Sequence, residues 1–221
     1  MEKNTSINTL SVDLQYFGNV YWFKKAIKYK HIEFSEYEYH SKMSFRNRLW
    51  LAGADGRMNL SVPILDGRNE RQLYKEVKIA GGRWATDHFR AICSCYNRSP
   101  WFEHYRDDLA ELYKKQYQFL QDWNLACLDW VNDQLGQPID WQFISPVGSH
   151  PSGATRRVRP DGNDYTNFYR PGNMDEWIEE GGGGIKYAQV FEERTGFIPG
   201  LSILDLLFCE GPAAIGILQN E

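Results

Sequence analysis

The order of elements near the start of the chain constrains its fold more than any other feature. Residues 9–15 alternate and read as a short strand, Tyr16-Phe17-Gly18-Asn19 as a turn, residues 20–29 as an aromatic helix, and residues 31–36 as a second strand. Strand, helix and strand in that order make a parallel βαβ unit, whose crossover is almost always right-handed. Sheets of this kind bind ligands beyond the carboxyl ends of their strands, so the 16–19 turn is a candidate site. Further on, residues 48–52 and 57–64 form two alternating runs joined by Gly53-Ala54-Asp55-Gly56, whose Asp-Gly pair supplies the positive-φ geometry of a hairpin turn. Residues 72–79 read as another strand.

A helix capped by Thr86 or Asp87 is expected to run to Cys95 and to close at Asn97-Arg98-Ser99-Pro100. Two amphipathic helices follow at 101–114 and 118–135, the second ended by Gly136-Gln137-Pro138, and a strand at 139–144. Short helices are expected at 187–194 and 202–209, the latter with Asp205 on its polar side. The stretch 147–184 is rich in Gly, Pro, Asn and Asp and carries no period, as expected of a long irregular loop or lid. The fold expected from this order is α/β: a single Rossmann-like three-layer domain over 1–221, with a β-hairpin, a helical segment in the middle of the chain, a disordered start at 1–8 and a long irregular insertion.

Composition removes several function classes. The 221 residues carry a formal net charge of −4, which supplies no basic field for nucleic acid. No run of about 18 apolar residues exists, and the polar start lacks the apolar core of a signal peptide, so a cytoplasmic protein without a membrane span is expected. Cys93, Cys95, Cys127 and Cys209 lie on apolar segments and read as core thiols of a reducing compartment. No CxxC, HExxH or calcium-loop spacing is present, so no metal is expected, and whether a cofactor is used is left open by the residues. Aromatic residues make up 15% of the chain, and their faces suit sugars and bases.

Three clusters carry candidate chemistry. The segment EYHSKMSFRNR holds Glu38, His40, Lys42, Ser44, Arg46, Asn47 and Arg48. If it is extended, Arg46 and Arg48 lie on one side and can fork a phosphate or carboxylate; the plainer reading pairs them with acids at a sheet edge. The second cluster, Trp84, Asp87, His88 and Arg90, stands at a helix start that favours an anion, with His88 a candidate acid or base and Asp87 either its orienter or a helix cap. The third is Tyr16, Phe17 and Asn19, which has no glycine-rich phosphate cradle, since neither GxGxxG nor GxxxxGK[ST] occurs. The tail at 196–212 reads as packing.

Taken in order, Tyr16-Phe17, Lys42-x-Ser44-x-Arg46-Asn47-Arg48, Leu60-Ser61-Val62-Pro63-Ile64, Trp84 with His88, Tyr96-x-x-Ser99-Pro100-x-Phe102, Tyr187-x-Gln189-Val190-Phe191 and the run from Gly196-Phe197-Ile198-Pro199 to Phe208 resemble the bacterial WbqC-like family across residues 16–211. The resemblance implies a place near O-antigen and other surface-polysaccharide biosynthesis, as a transferase of an acyl, aminoacyl or related group to a sugar. In that reading His88 and Lys42 are catalytic, and Tyr16, Asn19, Ser44, Arg46, Asn47, Arg48, Trp84 and Arg90 bind a sugar or nucleotide-sugar. The alternative is a noncatalytic glycan or nucleotide-sugar binding and assembly protein, which needs no nucleophile or cofactor loop. A nucleotidyltransferase-like variant would need a phosphate-binding His or Lys in the 16–19 turn, which supplies neither. Assembly as a homo-oligomer is left open by the sequence.

Overall fold

The computed structural model describes residues 9–35, 37–67, 72–144, 163–182 and 184–220. The chain is α/β, with a parallel sheet and packed helices. Strands β1 (Thr9–Val12), β2 (His31–Ser35), β5 (Asp140–Ile144) and β6 (Asp164–Tyr165) form the sheet in the order β5-β2-β1-β6. All three pairings are parallel; β1 meets β2 with Thr9 opposite His31, and β6 with Ser11 opposite Asp164. The chain therefore builds outward from β1 on one side and returns to its other side for β6. All four β1 residues are buried, as a strand covered on both faces requires, whereas β2, although also paired on both edges, alternates.

Helix α1 (Val20–Ala26) provides the first crossover. Strands β3 (Arg48–Gly53) and β4 (Gly56–Ser61) form the expected hairpin, closed by Gly53 opposite Gly56, whose φ of 112° a side chain would rarely tolerate. Helices α2 (Trp84–Tyr96), α3 (Phe102–Lys114) and α4 (Leu120–Leu135) occupy the middle of the chain, and α4 ends at Gly136 in the left-handed conformation. Short helices α5 (Met174–Glu180), α6 (Glu192–Thr195), α7 (Ile203–Glu210) and α8 (Ala214–Gln219) follow. Buried residues from β1 to α8 join in one connected apolar core, with Trp22, Trp123 and Trp177 its largest members.

Several expectations are corrected. Residues 72–79 are not a strand: a 3-10 turn at Tyr74–Glu76 interrupts them, and Leu73, Lys78 and Ile79 make single bridges to Tyr39, Phe119 and Ile64. Three partners in three places cannot build a ladder. Helix α2 begins before Thr86 and Asp87, at Trp84, and neither residue caps it. Helix α6 covers only the last part of 187–194. Within the stretch expected to be irregular, 163–182 carries β6, a 3-10 turn at Pro171–Asn173 and α5, and buries Tyr169 and Trp177; residues 147–162, like 1–8, lie outside the described residues. Trp177 works as an anchor: Gly200, at φ 73°, passes so close that an added Cβ would stand 2.3 Å from its ring. Asp205 is not on a polar face, because α7 is buried all round and Asp205 is 0% exposed.

Candidate functional site

Asp13 is the first residue beyond β1, at the carboxyl edge of the parallel sheet and at the strand where its order reverses. Crevices of that kind hold ligands because successive loops leave in opposite directions there. One Asp13 carboxylate oxygen, Oδ2, accepts the backbone N–H of Asn167, just past β6, at 2.7 Å; the other, Oδ1, accepts from Arg46 Nη2 at 2.5 Å. The same Arg46 nitrogen reaches Glu38 Oε2, which follows β2. Two strand ends and the return strand are thus tied through one guanidinium.

Arg46 is 2% exposed and lies in the turn before β3. Its guanidinium stacks 4.8 Å from the Tyr74 ring centroid, and its Nη1 donates to the Tyr39 carbonyl at 3.3 Å. From α4, Asn124 Nδ2 donates to the Arg46 carbonyl at 2.7 Å and to Tyr74 Oη at 2.8 Å. A buried charge persists only when paired and hydrogen-bonded, and this one is fixed by groups from four parts of the chain.

Two carboxyl groups share one guanidinium. Burial, then the neighbouring Asp13 charge, pushes Glu38 up to about 7 against the pull of Arg46. Burial opposes the charge of Arg46, yet Asp13 and Glu38 hold it above its ordinary range. The Glu38 side chain keeps 19% of its surface open to solvent, against 4% for Asp13. Of the two, Glu38 is the one that can exchange a proton with a bound molecule. His40, on the same segment, is lowered to about 4 by burial and by the facing charges of Arg46 and Arg48.

The expected fork of Arg46 and Arg48 does not form, and the plainer reading holds for Arg46, which is spent on two acids. Arg48 opens β3, half-buried, with Nη1 3.1 Å from Met43 Sδ. Asn47 donates through Nδ2 to the Val62 carbonyl at 3.1 Å. Ser44 is buried and Lys42 exposed on the same segment.

His88 sits elsewhere, in an aromatic enclosure. It is 7% exposed, Tyr16 Oη meets its Nδ1 at 3.0 Å, and Tyr16 Oη also shares a 2.5 Å hydrogen bond with Tyr113 Oη. Trp84 packs edge-on against His88, with ring centroids 5.3 Å apart. Burial lowers His88 to about 4, although a hydrogen bond to the Ser61 backbone and the charge of Asp87 work the other way. His88 is thus an enclosed imidazole hydrogen-bonded to Tyr16 and to the Ser61 backbone. Arg90 is exposed on α2.

The 16–19 turn is closed from within. Asn19 Oδ1 caps α1 through the Trp22 N–H at 2.9 Å, Val20 N–H is taken by the Leu201 carbonyl at 3.0 Å, and Ile203 N–H by that of Gly18 at 2.9 Å. Phe17, at a φ of 41° unusual for a bulky residue, is held by Ser202 Oγ donating to its carbonyl at 2.7 Å. Residues 201–203 thus take up backbone groups of this turn.

Among the described residues no three His, Cys, Asp or Glu side chains converge as metal ligands, and no helix is long and apolar enough to cross a membrane. Of the cluster at the sheet edge, the sequence gives Arg46 as a binding residue and Glu38 as a member of the same segment with no role assigned. Asp13 and Asn167 were missed. The available signal for Asp13 was its position, a carboxylate directly after a parallel strand.

An α/β chain with a paired arginine at the carboxyl edge of its sheet defines the class only broadly. The sequence defines it further: residues 14–159 match the WbqC-like protein family, and the chain belongs to that family. It is also similar to the Uncharacterized protein Rv1507c of Mycobacterium tuberculosis (strain ATCC 25618 / H37Rv), with 26% identity over 197 residues that cover 81% of this chain and 84% of that protein. No solved structure matches it.

Proposed function

We propose that this WbqC-like protein is a Rossmann-like transferase that adds an acyl, aminoacyl or related group to a sugar in surface-polysaccharide biosynthesis, with its chemistry at the carboxyl edge of the sheet. The observation that carries the reading is Glu38, partly open, tied through Arg46 to Asp13 where the strand order reverses. Ionised Glu38 takes the proton of the acceptor hydroxyl or amine as the new bond to the acyl carbon forms, then returns it to the leaving group. Arg46 and Asp13 position it, and Lys42, exposed on the same segment, stabilises the charge that develops on the acyl oxygen. His88 lies behind this edge as support for Tyr16.

The test is chemical analysis of the surface polysaccharide from cells that lack the gene and carry either the wild-type protein or Glu38→Gln. Loss of one sugar substituent in the gene-deleted cells, restored by wild type but not by Glu38→Gln, is the expected result. Full restoration by Glu38→Gln would move the function to noncatalytic glycan or nucleotide-sugar binding. A polysaccharide unchanged by loss of the gene would end both readings.

A further inference from the structure

The segment 40–48 holds an unexplained excess of enclosed polar atoms. His40 Nδ1, Ser44 Oγ, Arg46 Nε and Arg48 Nε are all buried and have no hydrogen-bond partner among the described residues. Buried polar groups in folded proteins are nearly always satisfied, and each orphan costs about 1–3 kcal/mol. Four on one short stretch point to a further partner.

Their chemistry specifies that partner. Both guanidinium Nε atoms are obligate donors, Ser44 can donate, and neutral His40 donates from Nδ1 in one tautomer. The missing ligand must be rich in acceptors. Charge points the same way: Arg46 is matched by Asp13 and Glu38, whereas among the described residues Arg48 has for its Nη1 only the thioether of Met43, a poor acceptor for a cation. Met43 itself holds a φ of 57°, a costly left-handed conformation for a residue with a side chain, in the loop that shapes this ground. Ser44 and Arg46 are each 2% exposed, so the site is lined from within rather than lying on the surface.

We propose that His40, Ser44 and Arg48, backed by Arg46, form a subsite for a phosphoryl group of the substrate, next to Glu38. A tetrahedral, multiply charged oxyanion answers several unpartnered donors on one short segment, which a single planar carboxylate does less well. The inference rests on the transferase reading for the identity of the substrate, a phosphate-linked sugar, but its binding chemistry stands by itself. The phosphoryl group belongs either to a nucleotide-linked or to a lipid-linked sugar.

Calorimetric titration of the purified protein with inorganic phosphate, pyrophosphate, UDP and glucuronate, and with vesicles containing a polyprenyl diphosphate, tests it. Pyrophosphate is expected to bind, at least tenfold more weakly to Arg48→Ala and to Ser44→Ala, with Arg48→Lys intermediate because it keeps the charge and loses the Nε donor. A structural role would not move a second readout, the His40 titration followed by NMR. Now near 4 beside Arg46 and Arg48, it should rise by at least one unit when an anion joins them. Tighter binding of UDP assigns the nucleotide-linked source, and binding of the vesicles the lipid-linked one; both support the subsite. No binding of any phosphate probe at millimolar concentration, binding indifferent to Arg48→Ala and Ser44→Ala, or binding of glucuronate alone would overturn it. Glu38→Gln separates the two proposals: with one negative charge fewer beside Arg46, it should bind phosphate more tightly than wild type while losing substituent transfer.

Discussion

At the scale of single residues, the least expected group is Asp205, a carboxylate at 0% exposure in the middle of an apolar helix. It survives there because Tyr96 Oη donates to Oδ1 at 2.6 Å and Tyr187 Oη to Oδ2 at 2.7 Å. Tyr96 Oη in turn accepts the Ala52 N–H of β3 at 3.0 Å, so one hydroxyl links α2, β3 and α7. Tyr96→Phe therefore orphans two buried groups at once. It should destabilise the protein by about 2–4 kcal/mol in urea denaturation, on the usual cost of unsatisfied buried groups; a loss below about 0.5 kcal/mol would mean that the network carries little. None of this was legible in the sequence, where Asp205 is a lone polar residue in an apolar run whose partners stand 109 and 18 positions away. For Arg46 the pairing with acids was legible and only its alignment with Arg48 was not. Alternation places Arg46 and Arg48 on one side only if both are extended, and Arg46 lies in the turn before β3 begins.

Among the elements, α7 holds the 16–19 turn in place through Ser202. Its Oγ donates to the Phe17 carbonyl at 2.7 Å and accepts the Leu204 N–H at 3.3 Å as the cap of α7, while its backbone N–H bonds the Trp50 carbonyl of β3 at 2.8 Å. Ser202→Ala removes the cap and the anchor of a strained turn together, for an expected loss of about 1–2 kcal/mol. Hydrogen exchange should accelerate first at the amides of residues 16–20 and 203–205; acceleration spread evenly over the chain would argue against a local anchor. The elements that read correctly from sequence, β1, α1, β2, the hairpin and α3 to β5, combine a clear period with a turn or stop signal at one end. Those that did not, at 72–79 and within 163–182, are extended or short pieces. Single bridges and buried aromatic anchors such as Tyr74 and Trp177 fix them, not periodicity.

For the whole molecule, four buried or half-buried titrating groups, Glu38, His40, His88 and Asp205, act in opposite directions across one pH range. Glu38 and Asp205 are raised, chiefly by burial, from 4.5 to about 7 and from 3.8 to about 6. The folded protein binds those protons more tightly than the unfolded chain, so their stabilising contribution is full below pH 4 and is lost as pH climbs through 6 and 7. His40 and His88 are lowered, chiefly by burial, from 6.5 to about 4, and their contribution is full above pH 6.5 and is lost as pH falls through 4. The shifts are similar in size and opposite in sign, so wild-type stability should vary little between pH 4 and 7 although every one of the four groups changes its protonation somewhere in or at the edge of that range. Asp205→Asn removes one falling contribution and leaves the histidines less opposed. Its stability relative to wild type should rise steadily from pH 4 to pH 6 and then level off, whatever constant amount the substitution itself costs. Denaturant unfolding of both proteins at half-unit pH steps measures that difference directly. Parallel profiles would mean that Asp205 titrates in the folded protein as it does in the unfolded chain, and that Tyr96 and Tyr187 fully offset its burial.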